Sequence, residues 1–204
     1  MRALFLTDAH VRPPFEGVSA FYLALHQGLT GRSKNPIFYV SSNPWDLYEH
    51  LDRFLRLHDI PAGPLLLRDW GLSETGLAPL WGHAHKLDKM REVLATYPTL
   101  PFLLIGDSGQ EDPEHYCTIT REFPGRIRCI YIRRITSHRK RLFELWRLAA
   151  EARKAGTELV LVDDTVTAAR HAAGRGWIRW RQVEGVREQA ARDEAEASPL
   201  PAPG

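Results

Sequence analysis

The chain has 204 residues, of which 44% are hydrophobic and 25% are charged, a balance typical of a globular protein with a buried core. Its formal net charge of +2 is too small to indicate nucleic acid as a partner. No apolar run approaches the roughly 18 residues of a membrane span, and residues 1–8 lack the pattern of a signal peptide. The 2 cysteines have no metal-binding spacing, so we expect a reduced, cytoplasmic protein.

Apolar periodicity predicts helices that alternate with short buried strands along most of the chain. In chain order they are helix 15–28, strand 37–40, helix 45–58, strand 65–67 and helix 86–97. The chain continues with strand 101–105, helix 113–123, strand 127–132, helix 138–155, strand 159–162 and helix 165–173. Such alternation implies a parallel α/β sheet with helices on both faces. We predict one domain over residues 1–183 and a charged, then Ala- and Pro-rich tail over 184–204 that is largely disordered.

The strand at 101–105 ends in an acidic loop, which is the strongest functional signal in the sequence. Open α/β sheets place their chemistry at the carboxyl ends of the strands. Asp107 and Asp112 in this loop offer hard oxygen ligands that suit a magnesium ion retaining most of its waters. The competing interpretation is an acidic turn in which Asp112 caps the following helix.

Polar residues that follow or precede other elements are expected at the same edge of the sheet. Ser41 and Ser42 follow the strand at 37–40, and Lys86 begins a helix. A hydroxyl, an ammonium and two carboxylates around one point suit a phosphoryl group bound with Mg²⁺. Taken singly, the serine is typical of a turn and the lysine of a solvated helix end. The sequence contains neither a G-x-G-x-x-G nor a Walker A motif, which argues against dinucleotide and P-loop binding.

Several strings of residues resemble a known family. The longest are NPIFYVSSNPW at 35–45 and IGDSGQEDPE at 105–114. Shorter ones are PAGPLLLRD at 61–69, HKL at 85–87, FPGR at 123–126 and YIR at 131–133. The order strand–Ser, Lys, strand–Gly-Asp-x4-Asp is similar to the later motifs of haloacid-dehalogenase-like phosphohydrolases. Together, over about residues 8–180, the strings resemble the catalytic domain of the actin-patch phosphatidate phosphatase family.

The resemblance implies a haloacid-dehalogenase-like Rossmannoid sheet and a magnesium-dependent phosphomonoester hydrolase that converts phosphatidate to diacylglycerol. It implies that an aspartate attacks phosphorus to form an aspartyl-phosphate. Carried over residue by residue, Ser41 and Ser42 bind phosphate in the second motif and Lys86 is the third motif. Asp107 and Asp112 are the metal-binding fourth motif.

The family's nucleophile motif, Asp-x-Asp-x-Thr, lies upstream of the segment that residues 8–18 match. We therefore expect the chain to begin too late to contain this motif and to lack the central first strand of the sheet. Asp8 and Asp163 each follow an apolar run and are possible substitutes, but Asp164 or Thr165 more simply caps the next helix. We expect impaired catalysis; the alternative is an inactive, truncated domain that binds phosphate or anionic lipid.

Three further features favour contact with a membrane or a ligand, each with an ordinary structural alternative. A basic run includes Arg126, Arg128, Arg133, Arg134, His138, Arg139, Lys140 and Arg141. It predicts peripheral contact with an anionic membrane, or solvated strand ends. The pair His83 and His85 is interpreted as metal ligands or as the mouth of the pocket. Trp70, Leu80 and Trp81 are interpreted as lipid contacts or as core residues.

Overall fold

The computed structural model describes residues 14–68 and 82–197. The chain divides into two compact units whose segments alternate along the sequence. The first unit takes residues 1–39, 46–65 and 164–204, and the second unit takes residues 40–45 and 66–163. The predicted single domain is thus built from two interleaved units.

The helices and strands follow the predicted alternation closely. The first part of the chain contains α1 (Val18–Gln27), β1 (Tyr39–Pro44), a 3-10 turn (Trp45–Leu47), α2 (Tyr48–Leu57), β2 (Leu65–Arg68) and α3 (Gly82–Thr96). The central part contains β3 (Phe102–Asp107), α4 (Asp112–Glu122), β4 (Ile127–Arg133) and α5 (Arg139–Lys154). The last part contains β5 (Glu158–Val162), α6 (Thr165–Gly174) and α7 (Trp180–Ala197).

The second unit contains a three-stranded sheet in the order β3-β4-β5, and both strand pairs are parallel. The strand β4 is buried on both faces, because Cys129 and Tyr131 alternate with Ile130 and Ile132 and all four are buried. This is the mixed α/β architecture that the sequence predicts, and it agrees with a Rossmann-like or haloacid-dehalogenase-like fold.

The core of the second unit lies where α3, α4 and α5 pack against one face of this sheet. Its fully buried members include Ile119 on α4, Ile130 on β4 and Leu145 on α5. Leu104 on β3 and Val40 on β1 pack against the same cluster from its edges. The apolar stripes that predict these helices are therefore the faces that they bury.

Two sheets are present among the described strands, β1-β2 and β3-β4-β5. The family's central strand, which we expect this chain to lack, would lie between the strand of Ser41 and the strand of Asp107. Among the described strands β1 and β3 belong to different sheets, and the missing strand stays a prediction.

The first unit is mainly helical, with α1, α6 and α7 in mutual contact. Val183, Val186 and Ala190 on α7 are buried. The backbone N–H of Gly17 donates to the carboxylate of Asp193 at 2.7 Å, and this bond attaches the start of α1 to α7.

The prediction of a largely disordered tail is wrong for residues 184–197, which lie in α7. Its apolar residues are few and small, and they are separated by charges, so the buried stripe is too thin to recognise by composition. Residues 198–204 lie outside the described part of the chain.

The two cysteines, Cys117 and Cys129, are both buried in the second unit. Burial raises the pKa of the Cys117 thiol to about 11, so this thiol is protonated at neutral pH and poorly reactive. Among the described residues, no helix combines the length and apolar character needed to cross a bilayer.

Candidate active site

The junction between β3 and α4 brings a carboxylate against the backbone of the strand end. A Cβ at Gly106 would lie 2.4 Å from Oδ2 of Asp112 and 2.8 Å from its Cβ, well inside van der Waals contact. Only glycine leaves room for this close approach. The glycine that ends the apolar run is therefore a requirement for placing Asp112.

Asp112 forms an ion pair with Lys86 inside the protein. Lys86 donates from Nζ to Oδ1 of Asp112, and the two residues are only 9% and 7% exposed. Charges removed from water to this degree are tolerated only when they are paired, because desolvation costs several kcal/mol for each ion. The pair therefore explains why a lysine and an aspartate occur in otherwise apolar surroundings.

The same pair rules out the competing interpretation of Asp112 as a helix cap. The N-cap residue of α4 is Glu111, whose side chain forms no capping hydrogen bond, and Asp112 is the first helical residue. Pro113 follows it within the first turn, where its missing N–H has no cost.

Tyr116 supports the buried pair from one turn further along α4. Its hydroxyl donates to the carbonyl oxygen of Ile105 at 2.8 Å, which attaches α4 to β3. The centre of its ring lies 6.0 Å from Nζ of Lys86, at the outer range of a cation–π contact. The lysine is thus bounded by a carboxylate and by an aromatic ring.

Asp107 is the last residue of β3, and its carboxylate shapes the loop that follows. Its Oδ1 accepts a hydrogen bond from the backbone N–H of Gly109 at 2.7 Å. In the parallel register Asp107 is opposite Arg133, the last residue of β4. Asp107 therefore lies at the carboxyl edge of the parallel sheet, as predicted.

A clamp on this loop comes from Arg141, in the first turn of α5. Its Nε donates to the carbonyl oxygen of Ser108 at 3.1 Å, and one terminal nitrogen donates to the carbonyl oxygen of Gln110 at 2.8 Å. Both terminal nitrogens also donate to the carboxylate of Glu114, one of them at 3.0 Å. A single planar guanidinium therefore ties two loop carbonyls to α4.

The electrostatics of this clamp agree with its geometry. Partial burial alone would raise the pKa of Glu114, but the hydrogen bonds from Arg141 outweigh it and lower that pKa. The hydrogen bonds that Arg141 donates to Glu114 likewise raise the pKa of Arg141. Both groups are therefore charged at neutral pH.

Ser108 completes the attachment of the loop to β4 and the segment after it. Its N–H donates to the carbonyl oxygen of Arg133 at 2.9 Å. Its buried hydroxyl accepts from the N–H of Ile135 at 3.0 Å. The loop between Asp107 and Asp112 is thus fixed from both sides.

The other predicted site residues lie on β1 and α3. The strand β1 includes Ser41 and Ser42, which do not follow it, so the interpretation of Ser41 as a turn residue is wrong. The sequence around Ser41 favours a turn, but pairing with β2 extends the strand through it. The side chain of Ser42 lies outside the described part of the structure. Lys86 is in the second turn of α3, because this helix begins at Gly82 and not at Lys86.

Of the histidine pair, the structure describes the surroundings of His85 only, and the role of the pair stays a prediction. His85 is half-buried on α3, and burial together with the nearby charge of Lys89 lowers the pKa of its imidazole, so it is neutral at pH 7. The side chain of His83 is not described, and Trp70 and Leu80 also lie outside the described residues, as does Trp81. Within the described residues, no group of three or more His, Cys, Asp or Glu side chains forms a metal cluster.

The carboxylates of Asp107 and Asp112 nevertheless fit a magnesium ion by their chemistry. Magnesium commonly takes one or two protein carboxylates and completes its shell with waters and substrate phosphate oxygens. A site of that kind needs no third acidic ligand.

The two predicted substitutes for the nucleophile fare differently. Asp163 is on the surface, with its carboxylate accepting from Nε of Arg134 at 2.5 Å and 65% of its side chain exposed. Asp164 caps α6, accepting from the N–H of Thr167 at 2.6 Å, which confirms the capping prediction. Asp8 lies outside the described residues.

Sequence reasoning missed the roles of Arg141 and Glu114. In the sequence, Arg141 is one member of a basic run, and Glu114 is one residue of the string at 105–114 that resembles the family. Neither position indicates an ion pair between them. One signal was present: Arg139, Lys140 and Arg141 begin α5 without any acid in the first turn. Cations are unfavourable at the positive end of a helix dipole, so such a cluster indicates compensating partners elsewhere.

The described residues thus combine an α/β sheet with a buried Lys–Asp pair and a clamped acidic loop at the end of a strand. The family model described as "Phosphatidate phosphatase APP1, catalytic domain" matches residues 1–134. This match covers more than half of the 204 residues and includes all five predicted site residues, Ser41, Ser42, Lys86, Asp107 and Asp112. The chain therefore belongs to the APP1 catalytic-domain family.

Two fungal proteins are similar to part of the chain. Phosphatidate phosphatase APP1 of Saccharomyces cerevisiae is 30% identical over 118 residues, which are 58% of this chain and 19% of the yeast protein. An uncharacterized protein of Schizosaccharomyces pombe is 28% identical over 103 residues, 50% of this chain and 17% of that protein. The chain thus matches less than a fifth of the length of either relative. No solved structure gives a significant match.

Proposed function

We propose that this domain is a magnesium-dependent phosphomonoester hydrolase that acts on phosphatidate and yields diacylglycerol and phosphate. The observation that supports this proposal most strongly is the buried pair of Lys86 and Asp112, set beside Asp107 at the carboxyl end of a parallel strand. The name of the yeast relative supports the choice of substrate.

Each site residue has a role in this proposal that follows from its chemistry. Lys86 neutralises charge on the phosphoryl group, and the hydroxyls of Ser41 and Ser42 donate to phosphate oxygens. Asp107 and Asp112 bind Mg²⁺, which would offset the negative charge of the substrate when bound. Asp112 also orients Lys86, and the Arg141 clamp keeps the loop from shifting.

The proposed chemistry needs a nucleophilic aspartate, which attacks phosphorus and forms an aspartyl-phosphate that water then hydrolyses. The 204 residues contain no Asp-x-Asp-x-Thr sequence. Asp163 is a poor substitute because its carboxylate is exposed and bonded to Arg134. We therefore expect the 204-residue protein to be impaired in turnover.

The test compares phosphate release from a short-chain, water-soluble phosphatidate by two proteins. One is the 204-residue protein, and the other carries an added N-terminal segment with an Asp-x-Asp-x-Thr motif. We expect Mg²⁺-dependent release from the extended protein only, and a fall of about 100-fold or more in Lys86→Met. In the extended protein, Asp107→Asn should abolish the dependence of phosphate release on Mg²⁺. Asp163→Asn should leave the rate of phosphate release unchanged.

The second candidate function is a non-catalytic domain that binds phosphate or anionic lipid through Ser41, Lys86 and the basic run. It is favoured by the cations that the chain supplies, the buried Lys86 and the exposed Arg139 and Lys140 at the start of α5. Two results together would favour this function. The 204-residue protein would bind inorganic phosphate and lose this binding in Lys86→Met, and the extended protein would show no turnover. Robust turnover by the extended protein would eliminate it.

A further inference from the structure

The helix α5 has a second face that the candidate site does not use. One face is buried through Leu145, Leu148 and Ala152. On the opposite side, Phe143 is 74% exposed and Trp146 is 69% exposed. These are the highest exposures of any large hydrophobic residue in the described part of the chain. Two aromatic rings on one helix that remain in water indicate a surface with a further contact to make.

The exposed residues form a continuous stripe along the helix. Arg139, Phe143, Trp146 and Ala150 follow one another at intervals of four, three and four residues, which place them on one side of an α-helix. All four are exposed. We call these four residues the outer stripe of α5.

The flanks of the outer stripe are basic. Four exposed cations border it: Lys140, Arg147, Arg153 and Lys154. The two acids of α5 lie toward its sides, where Glu144 accepts from Arg141 at 3.3 Å and Glu151 lies 3.9 Å from Arg147. The latter pair is long and exposed, so it offsets little of the charge of Arg147. The outer stripe is therefore apolar at its centre and positive at its edges.

We propose that the outer stripe binds the interface of an anionic lipid bilayer, with α5 lying flat on the membrane surface. Phe143 and Trp146 enter the boundary between head groups and acyl chains, and Arg139, Lys140 and Arg147 contact the anionic head groups. This deepens the proposed function and rests on it, because a phosphatidate phosphatase meets its substrate at a membrane.

The connection of α5 to the acidic loop gives this docking a consequence for the site. Arg141, in the first turn of α5, donates to the carbonyl oxygens of Ser108 and Gln110. The outer stripe begins at Arg139 in that same turn. Membrane docking through the stripe therefore also holds this end of α5, with the loop carbonyls bonded to Arg141, near the membrane surface.

A bilayer fits the stripe better than a protein partner does. A stable protein interface buries about 1,200–2,000 Å² in total, and a stripe with two aromatic side chains on a single helix offers only a small part of that. A rim in which four exposed cations outnumber the two acids of α5 matches a surface of one charge sign, such as anionic head groups, and would repel a second copy of itself.

The experiment measures binding of the 204-residue protein to sedimented vesicles. One set of vesicles is pure phosphatidylcholine, and the other contains about 30% phosphatidylglycerol, enough for a negative surface potential. The variants are Phe143→Ser with Trp146→Ser, and Lys140→Gln with Arg147→Gln. The matched control is Trp180→Ser, which removes a tryptophan that is 63% exposed on α7. Urea unfolding of each variant verifies that it is folded.

We expect wild type to bind the anionic vesicles and to be released by salt. Loss of both aromatic residues should weaken partitioning by about tenfold or more, and each removed cation should weaken it by about fivefold. Trp180→Ser should bind like wild type. Hydrolysis of the water-soluble substrate by the extended protein should be unchanged in the stripe variants, so docking and catalysis can fail separately.

Three results would overturn the proposal. The first is that the wild-type protein does not bind anionic vesicles. The second is that the wild-type protein and the aromatic double variant bind them equally well. A dimer in sedimentation velocity that the aromatic double variant dissociates would show that the stripe is an interface between two copies of the chain.

Discussion

Two strand-to-helix junctions in this protein each contain two aspartates but differ in structure. At the junction of β3 and α4, Asp112 is buried and paired with Lys86. At the junction of β5 and α6, Asp163 is exposed and paired with Arg134, and Asp164 caps the helix. Both junctions follow a strand of the same parallel sheet.

The difference shows what separates a candidate site from an ordinary turn. At β3–α4 a glycine clears space for the carboxylate, a lysine from another helix balances it, and Arg141 fixes the loop. At β5–α6 the two carboxylates form exposed contacts, Asp163 with Arg134 and Asp164 with the N–H of Thr167. Burying a charge costs free energy. Buried charges that are held in a fixed position are therefore expected mainly where binding or catalysis needs them.

The largest effect is expected for Asp112→Asn compared with Asp163→Asn. Removing one partner of a buried ion pair leaves the ammonium of Lys86 unpaired and should lower the free energy of unfolding by about 3–5 kcal/mol. Breaking the exposed pair of Asp163 should change it by less than about 1 kcal/mol. Urea denaturation of both variants measures the difference.

The double variant Lys86→Met with Asp112→Asn provides the control for this prediction. It should recover part of the lost stability, because no unpaired cation remains in the core. If Asp112→Asn and Asp163→Asn lowered the free energy of unfolding equally, burial of the Lys86–Asp112 pair would make no difference to stability.

The next largest effect is expected for Arg141→Ala. The hydrogen bonds of the guanidinium are charge-assisted, and their loss should lower the free energy of unfolding by about 2–3 kcal/mol. Hydrogen exchange should also accelerate at the amides of Ser108 and Gly109, which the clamped loop protects. The neighbouring variant Arg139→Ala should leave both measurements unchanged; if it matched Arg141→Ala, the clamp would have no specific role.

A smaller loss is expected for Gly106→Ala. The new methyl group would meet Oδ2 of Asp112 at 2.4 Å, and moving that carboxylate should cost about 1–3 kcal/mol. Gly185→Ala in α7 is the matched control, because its methyl group meets open space and should stabilise the helix by about 0.5–1 kcal/mol. Thermal unfolding compares the two, and an unchanged Gly106→Ala would mean that Asp112 does not need this close approach.

The smallest effect is expected for Asp164→Ala. Loss of the hydrogen bond to the N–H of Thr167 should cost about 1 kcal/mol, the usual value of an N-cap. Urea denaturation gives the cost, and phosphate release by the extended protein should be unaffected. A fall in turnover larger than the fall in stability would place β5–α6 in the site and remove the contrast between the junctions.

Much of the fold could be predicted, because it follows from residue patterns that are local in sequence. The apolar runs at β3, β4 and β5 and the stripes of α4 and α5 give their elements to within a few residues. Ser41 was misplaced because its neighbours favour a turn until pairing with β2 fixes them in a strand. The helix α7 could not be predicted from composition because its few buried residues pack against α1 and α6, which are distant in sequence or separated from it by a turn.

The candidate site could be predicted only in its composition. Asp107, Asp112 and Lys86 were recognised, but local sequence does not show that Lys86 and Asp112 form a buried pair 26 positions apart. The clamp could not be predicted for the same reason: Arg141 lies 33 positions from Ser108, and two of its partners are backbone carbonyls, which any residue supplies. Tertiary structure decides which charges meet.

The most direct test of the account is isothermal titration of Mg²⁺ into three proteins: wild type, Asp107→Asn and Asp163→Asn. This measurement needs no nucleophile, so it examines the β3–α4 junction apart from turnover. We predict binding by wild type, loss of binding in Asp107→Asn and unchanged affinity in Asp163→Asn. Binding that survives Asp107→Asn, or that disappears in Asp163→Asn, would contradict the assignment of the metal site to the β3–α4 junction.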